Sequence, residues 1–162
     1  MKLYFVRHGT AASKATWDSN DDLRPLTRAG RERFSTAAES LKRAAVLDPE
    51  LIVTSPLVRA EQTAELLGKA LGGSMRIERD PRLGHQFDLA ALAAILAEHP
   101  DIGSLAVVGH NPSFAAVLSA VIGGGDVDMR KGAIALVDID DVSRPVGRLM
   151  WVAPPALFAR DS

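Results

Sequence analysis

Short apolar runs alternate along this chain with longer stretches in which apolar residues recur every three or four positions. This alternation predicts an α/β fold with a largely parallel sheet that helices cover on both faces. We expect strands at residues 3–6, 51–54, 75–78, 105–108, 133–137 and 149–152. An acidic turn at residues 138–141 is expected to join the last two strands.

Capping residues mark the expected helix starts. Thr27, Ser55 and Asp88 each precede a stretch of helical period, and side chains of these types accept hydrogen bonds from the first N–H groups of a helix. Pro56 suits the first helical position, where its missing N–H costs nothing. A further apolar helix is expected to begin at Ser113, and the three glycines 123–125 after it predict a turn.

Composition narrows the possible functions. The 162 residues, 47% of them hydrophobic, suffice for a single domain over residues 1–162 with one core. A formal charge of −1 and 5% aromatic residues argue against a nucleic-acid partner. The absence of cysteine excludes disulfides, thiolate metal sites and cysteine nucleophiles. With no signal segment and no apolar run near the ~20 residues of a membrane span, we expect a cytoplasmic protein without a membrane partner, compatible with a monomer.

Two histidines directly follow two of the predicted strands. The first strand runs into Arg7-His8-Gly9, and the run at 105–108 ends in Gly109-His110-Asn111-Pro112. Because ligands of open α/β sheets bind outside the carboxyl ends of the strands, we expect His8 and His110 to meet at one edge. Arg59 lies inside the helix after Ser55, and its side chain leans back towards a strand end. Guanidinium groups beside imidazoles are typical of a site that handles phosphate.

Four motifs occur in order along the chain: Arg7-His8-Gly9, Arg24-Pro25-Leu26-Thr27, Ser55-Pro56-Leu57-Val58-Arg59-Ala60-Glu61-Gln62-Thr63 and Gly109-His110-Asn111-Pro112. They resemble the histidine phosphatase superfamily, and most of all its short SixA-like branch of phosphohistidine phosphatases. The resemblance spans residues 1–152. It implies a phosphoglycerate mutase-like, three-layer α/β/α sandwich. It also implies a reaction without metal or cofactor, in which a histidine becomes a covalent phosphohistidine that water hydrolyses.

The resemblance makes His8 the nucleophile and assigns Arg7, Arg59 and His110 to a catalytic phosphate clamp. A neutral imidazole is an adequate nucleophile near pH 7 if an acceptor holds its other ring nitrogen. Planar guanidinium groups match phosphate oxygens in pairs, and a protonated His110 would add charge. The backbone N–H of Asn111 is expected to bind the substrate as well.

Other residues near the motifs keep open roles. Arg24 either contacts the substrate or pairs with Asp21 or Asp22. The polar segment 10–22 predicts a loop over the end of the first strand. Thr10 occupies a position that is acidic in some relatives, and the sequence assigns it no role.

The expected substrate is phosphohistidine in proteins, because no carboxylate stands clearly in the place of a general acid. Asp80, His85 and Asp88 are possible proton donors, but nothing in the sequence aims them at His8. Imidazole leaves as a neutral ring if its distal nitrogen is protonated, whereas a poor alkoxide leaving group needs an acid. Two alternatives stay open: a phosphomonoesterase acting on small phosphorylated molecules, and a module that binds phosphorylated ligands without turnover.

Overall fold

The computed structural model describes residues 1–159, which form a six-stranded mixed sheet with helices on both faces. The strands are β1 (Lys2–Arg7), β2 (Leu51–Thr54), β3 (Ile77–Arg79), β4 (Ser104–Gly109), β5 (Ile134–Asp141) and β6 (Val146–Ala153). The helices are α1 (Arg28–Arg43), α2 (Val58–Ala70), α3 (Leu89–Ala97) and α4 (Ser113–Val121), and three short 3-10 helices lie at Asp21–Leu23, Pro81–Leu83 and Pro155–Phe158. Within residues 1–159, no helix is long and apolar enough to cross a membrane.

The sheet has the strand order β3-β2-β4-β1-β5-β6. The pairs β3-β2, β2-β4 and β4-β1 are parallel, whereas β1-β5 and β5-β6 are antiparallel. The prediction of a mostly parallel sheet is therefore confirmed. The antiparallel pairs are those that involve the two last strands, which a short turn joins instead of a helical crossover.

Two hydrophobic cores on opposite faces of the sheet make the fold three-layered. Leu3 and Phe5 of β1 pack in one core with residues of α3 and α4. The alternate residues Tyr4 and Val6 pack in the other core with residues of α1 and α2. Successive side chains of a strand point to opposite faces, so a run that is apolar at every position fits a strand covered twice. The predicted α/β/α sandwich is confirmed.

The register of the inner strands brings their carboxyl ends to one edge. Arg7 of β1 pairs with Gly109 of β4, and Thr54 of β2 pairs with Val108. The backbone N–H of His8 then donates to the Gly109 carbonyl at 3.0 Å, and that of Ser55 donates to the Val108 carbonyl at 2.9 Å. His8, Ser55 and His110 consequently leave three adjacent strands at the same level.

Two of the three predicted helix caps are confirmed. The Thr27 hydroxyl accepts from the N–H of Gly30 at 2.9 Å, and the Asp88 carboxylate accepts from the N–H of Ala91 at 2.8 Å. The Ser55 prediction is wrong, because α2 begins only at Val58 and its N-cap, Leu57, makes no side-chain cap. Pro56 accordingly lies before the helix and not in its first turn.

The turn predicted at residues 138–141 is also wrong. Strand β5 continues through these residues, and Asp138 and Asp141 pair with Arg148 and Val146 of β6. The turn falls at residues 142–145. Cross-strand pairing thus outweighs the low strand propensity of aspartate at the exposed end of this hairpin. The turn expected at glycines 123–125 is confirmed, since all three have positive φ angles.

Gly109 allows β4 to lie against α4 just before His110. A Cβ at this position would overlap the ring of Phe114 and lie 2.5 Å from its Cζ atom. We predict that Gly109→Ala lowers the free energy of unfolding by about 1–3 kcal/mol, because Phe114 is fully buried and has no free space to move into. Urea denaturation measures this change. Gly103→Ala is the matched control, since its Cβ would meet only the Glu50 carboxylate, and an equal loss in both variants would contradict the prediction.

Candidate functional site

The two histidines that the sequence pattern singled out lie side by side at the carboxyl edge. Their ring centroids are 5.2 Å apart. His8 is 7% exposed and His110 2% exposed, so both imidazoles are nearly removed from bulk water. Arg59, 3% exposed, enters from the first turn of α2. The structure therefore brings together the groups that were expected to form one site.

His8 is held as a neutral imidazole with one defined tautomer. Its Nδ1–H donates to the carbonyl oxygen of Gly9 at 2.7 Å, so the lone pair lies on Nε2. Burial is the main cause that lowers the pKa of His8 to about 4; the hydrogen bond to the Gly9 carbonyl opposes this shift, and the positive charges of Arg59, Arg7 and Arg24 contribute to it. Near pH 7 this ring thus presents an unprotonated nitrogen, which is the form that a nucleophile requires.

Hydrogen bonds from α2 and from the segment before β5 fix the backbone around His8. The N–H of Gly9 donates to the Thr63 hydroxyl at 3.1 Å, and this hydroxyl donates to the Arg59 carbonyl at 2.7 Å. On the other side, the N–H of Gly132 donates to the His8 carbonyl at 2.9 Å. Thr63, a motif residue without a predicted role, ties the first strand end to the helix that carries Arg59.

Thr10 contributes through its backbone. Its carbonyl oxygen accepts from the N–H of Thr27 at 2.9 Å and from the Thr27 hydroxyl at 3.3 Å. The first turn of α1 approaches so closely that a Cβ on Gly30 would overlap this carbonyl. The start of loop 10–22 is therefore anchored to the N-terminus of α1.

Ser55 holds the ring of His110. Its Oγ accepts from the N–H of Leu57 at 3.3 Å and lies 2.8 Å from Nε2 of His110. Burial lowers the pKa of His110 to about 2, with repulsion from His8 and Arg59 in the same direction, so the ring is neutral in the free protein. A buried hydroxyl hydrogen needs an acceptor. Ser55 therefore donates to Nε2, and the proton of His110 lies on Nδ1.

Three buried N–H groups of this site have no hydrogen-bond partner. They are Nε of Arg7, Nε of Arg59 and Nδ1 of His110. Buried donors are almost always paired in folded proteins, and an unpaired one costs about 1–3 kcal/mol. In the described part of the chain, the remaining unpaired buried side-chain atoms are oxygens, Oδ1 of Asn111 and Oγ of Ser104. The three donors beside His8 are thus matched to a bound anion.

The segment before β5 positions two further residues. The carbonyl oxygen of Met129 accepts from Nη1 of Arg7 at 2.8 Å and from Nδ2 of Asn111 at 3.0 Å. Nε of Arg7 has no hydrogen-bond partner in this arrangement. The side chain of Asn111 is engaged by the protein, and the predicted substrate contact of its backbone N–H stays a prediction.

Arg24 and Arg59 share one carboxylate. Nε of Arg24 donates to Oδ1 of Asp21 at 3.0 Å, and Nη2 of Arg59 donates to Oδ2 at 3.1 Å. Of the two roles open for Arg24, the structure contains the pair with Asp21. Partial burial raises the pKa of Asp21, but the hydrogen bond from Arg24 and the charge of Arg59 outweigh it and hold this pKa below its usual range. Asp21 is therefore a carboxylate that anchors loop 10–22 to the arginines.

The three possible proton donors differ in their surroundings. Asp80 accepts from the Arg82 guanidinium, which lowers its pKa, so it stays ionised. Asp88 is used as the cap of α3. His85 is different, because its ring centroid lies 5.4 Å from that of His110 and its side chain is 59% exposed. The structure thus places one of the three beside the histidine pair.

Asp21, Ser55 and His85 lie at the site, although the sequence pattern assigned Ser55 only a capping role, Asp21 only a pairing option with Arg24, and His85 only the place of one possible proton donor among three. Ser55 directly follows a buried strand, the same position that His8 and His110 occupy, and this signal was available. Asp21 and His85 belong to loops, whose course over a strand end no short-range pattern reveals.

A cavity of about 820 Å³ lies between α1 and the C-terminal 3-10 helix, and its lining includes Gly9, Thr10, Phe34 and Phe158. None of Arg7, His8, Arg59 and His110 lines it. The residues with unpaired donors therefore lie outside this cavity.

Residues 3–86, slightly more than half of the chain, match the family model described as histidine phosphatase superfamily (branch 1). The chain belongs to the histidine phosphatase superfamily. The resemblance expected from the four motifs is thereby confirmed. The His8 and Arg59 motifs fall inside the matched range, and the His110 motif follows it.

Individual members of the superfamily are similar over most of the chain. Phosphohistidine phosphatase SixA of Escherichia coli (strain K12) is 30% identical over 158 residues, which cover 96% of this chain and 94% of SixA. An uncharacterized protein of Picosynechococcus sp. is 39% identical over 128 residues, 76% of this chain and 74% of that protein. A solved structure of SixA complexed with tungstate superposes with a TM-score of 0.86 at 28% identity, over 98% of this chain and 100% of that chain. These similarities support phosphatase activity.

The neutral histidines make stability pH-dependent. Both pKa values lie below the ordinary value of about 6.5, so the unfolded chain binds more protons and stability decreases as pH falls below 6.5. We predict that the free energy of unfolding decreases between pH 7 and pH 5, with each histidine contributing up to about 1.4 kcal/mol per pH unit. Urea denaturation of His110→Asn over this range should give a shallower slope. Equal slopes for wild type and variant would contradict the assignment.

Ser55 is predicted to matter for turnover. Ser55→Ala removes the hydrogen bond that places the proton on Nδ1 of His110, and a loss of about 1–1.5 kcal/mol predicts a roughly tenfold lower kcat. Steady-state hydrolysis of an aryl phosphate measures the change. Ser104→Ala, which removes a buried hydroxyl at the opposite end of β4, is the control. A Ser55→Ala variant with unchanged kcat would show that Ser55 does not position the ring.

Proposed function

We propose that this member of the histidine phosphatase superfamily is one phosphatase domain over residues 1–162 that hydrolyses phosphohistidine in proteins. The reaction proceeds without a cofactor, through a covalent phosphoryl group on His8. The observation that carries the proposal is the group of three unpaired N–H donors beside a neutral imidazole. A phosphoryl group satisfies all three donors and offers an electrophilic phosphorus to the imidazole.

In the first step, Nε of Arg7, Nε of Arg59 and Nδ1 of His110 donate to the phosphoryl oxygens. Phosphoryl transfer depends mainly on positioning and on charge stabilisation, and preorganised donors in a site shielded from water supply both. Nε2 of His8 attacks phosphorus in line with the leaving group. The bound dianion also stabilises positive charge on His110, whose proton then strengthens the clamp.

In the second step, water attacks phosphorus and the bond to Nε2 of His8 breaks. The hydrogen bond from Nδ1–H to the Gly9 carbonyl lets His8 leave as a neutral ring, because the proton stays on the distal nitrogen. The same clamp holds the phosphoryl oxygens in both steps. Inorganic phosphate then dissociates and restores the free protein.

Two observations support phosphohistidine as the substrate. Asp80 and Asp88 are engaged by Arg82 and by the N-terminus of α3, so neither carboxylate serves as a ready acid for an alkoxide. An imidazole that leaves from phosphorus needs no such acid. The similarity to SixA, a phosphohistidine phosphatase, points to the same substrate class.

The first test is detection of the phosphoenzyme. Protein in chelator-containing buffer is mixed with a histidine-phosphorylated protein or with an aryl phosphate and quenched within milliseconds. We predict acid-labile phosphate on His8 with both substrates, none with His8→Ala, and formation at least about 100-fold slower with His110→Asn, because one clamp donor is lost. Rapid-quench mass spectrometry measures the label.

Two outcomes would overturn this mechanism. Undiminished turnover by His8→Ala would show that His8 is not the nucleophile. Tight binding of vanadate without label or hydrolysis would identify a module that binds phosphorylated ligands instead of an enzyme.

A further inference from the structure

His85 stands at the outer side of the proposed phosphate clamp. Its ring centroid lies 5.4 Å from that of His110, which in turn lies 5.2 Å from that of His8. The three imidazoles therefore form a row. His8 and His110 are buried, whereas the side chain of His85 is 59% exposed. The row thus leads from the nucleophile to the solvent.

Residues of loop 10–22 also lie close to His85. One carboxylate oxygen each of Asp21 and Asp22 and one ring nitrogen of His85 all lie within 4.8 Å of one another. Asp21 is the residue that binds both Arg59 and Arg24. The His85 imidazole thus lies close both to His110 and to the carboxylates of Asp21 and Asp22, which belong to a different loop.

This position suits the departing side of an in-line transfer. The attacking and leaving atoms lie on opposite sides of phosphorus, so a leaving oxygen faces away from the buried His8. The leaving portion of any substrate must also extend into solvent. The exposed imidazole of His85 lies beyond His110 on the solvent side of the buried pair, whereas Asp80 is held by Arg82 and Asp88 by the N-terminus of α3.

Carboxylates face His85 at the rim of the site. Its Nε2 lies 4.0 Å from Oδ1 of Asp22, an exposed carboxylate. Two positive groups on this side, Arg24 and Arg59, are both paired with Asp21.

We propose that His85 is a catalytic residue of this site, the proton donor to the leaving oxygen of phosphate monoesters. The chain would then hydrolyse alkyl phosphate esters as well as phosphohistidine. This inference rests on the proposed route through phosphorylated His8. It extends the substrate class to alkyl esters, because His85 supplies the proton that Asp80 and Asp88 do not.

The proton balance closes over the two steps. As the bond from Nε2 of His8 to phosphorus forms, the bond from phosphorus to the ester oxygen breaks, and that oxygen takes both bonding electrons and the proton of the His85 imidazolium. The alcohol leaves and His85 becomes neutral. The neutral ring then accepts a proton from the water that attacks phosphorus, which restores the imidazolium and releases phosphate from His8.

The test compares the first step alone, measured as release of the leaving group before phosphorylated His8 is hydrolysed, in single turnovers of the whole chain with three substrates: phosphohistidine, 4-nitrophenyl phosphate and the alkyl ester glycerol 3-phosphate. We expect His85→Gln to slow the alkyl ester by about 100-fold or more, the aryl ester by much less, and phosphohistidine by less than about threefold. Gln86→Ala, a change at an exposed neighbour on the same loop, is the matched control and should slow none of the three. Thermal unfolding checks that both variants fold as the wild type does.

The outcomes separate this inference from the proposed function. A wild-type protein that forms phosphorylated His8 from phosphohistidine but does not cleave glycerol 3-phosphate overturns the role of His85 and leaves the phosphohistidine route standing. Equal slowing of all three substrates by His85→Gln also overturns it, because a proton donor must discriminate between leaving groups. If no substrate labelled His8, the proposed function itself would be wrong.

Discussion

The register of β1 against β4 is the constraint on which the rest of the site depends. Arg7 pairs with Gly109, so the residues that follow, His8 and His110, leave the sheet at the same level. The hydrogen bond from the His8 N–H to the Gly109 carbonyl is the last bond of this ladder. A shift of one residue would turn His8 to the other face of the sheet. Parallel pairing of the buried strands β1 and β4 therefore brings together His8 and His110, which are about a hundred positions apart in the sequence.

Burial determines which groups of the site carry charge near pH 7. Arg59 is removed from water and yet has one partly exposed carboxylate partner, Asp21, so the clamp retains net positive charge. The same burial and the same arginines lower the pKa values of His8 and His110, which stay neutral near pH 7. Cationic donors beside neutral imidazoles favour a multiply charged anion and leave a nucleophilic nitrogen free.

In the proposed mechanism, substrate range depends on the loops at the rim and not on the buried clamp. Superfamily membership and similarity to SixA support phosphatase activity. In the segment after β3, in contrast, Asp80 accepts hydrogen bonds from Arg82 and Asp88 caps α3, whereas the imidazole of His85 lies at the rim. On the two proposals above, a few loop residues determine whether this chain cleaves only phosphorus–nitrogen bonds or also esters.

Hydrophobic period and strand-end motifs determined much from the sequence alone. They predicted the α/β class, the inner strands, the caps Thr27 and Asp88 and the meeting of His8 with His110, because burial on both faces and helix capping are local or periodic requirements. Tertiary structure decided the rest. Ser55 bonds His110 and does not cap α2, Asp21 binds Arg59, and His85 lies beside His110. Each of these contacts joins segments distant in sequence, and only the packed chain determines which polar partners are within reach.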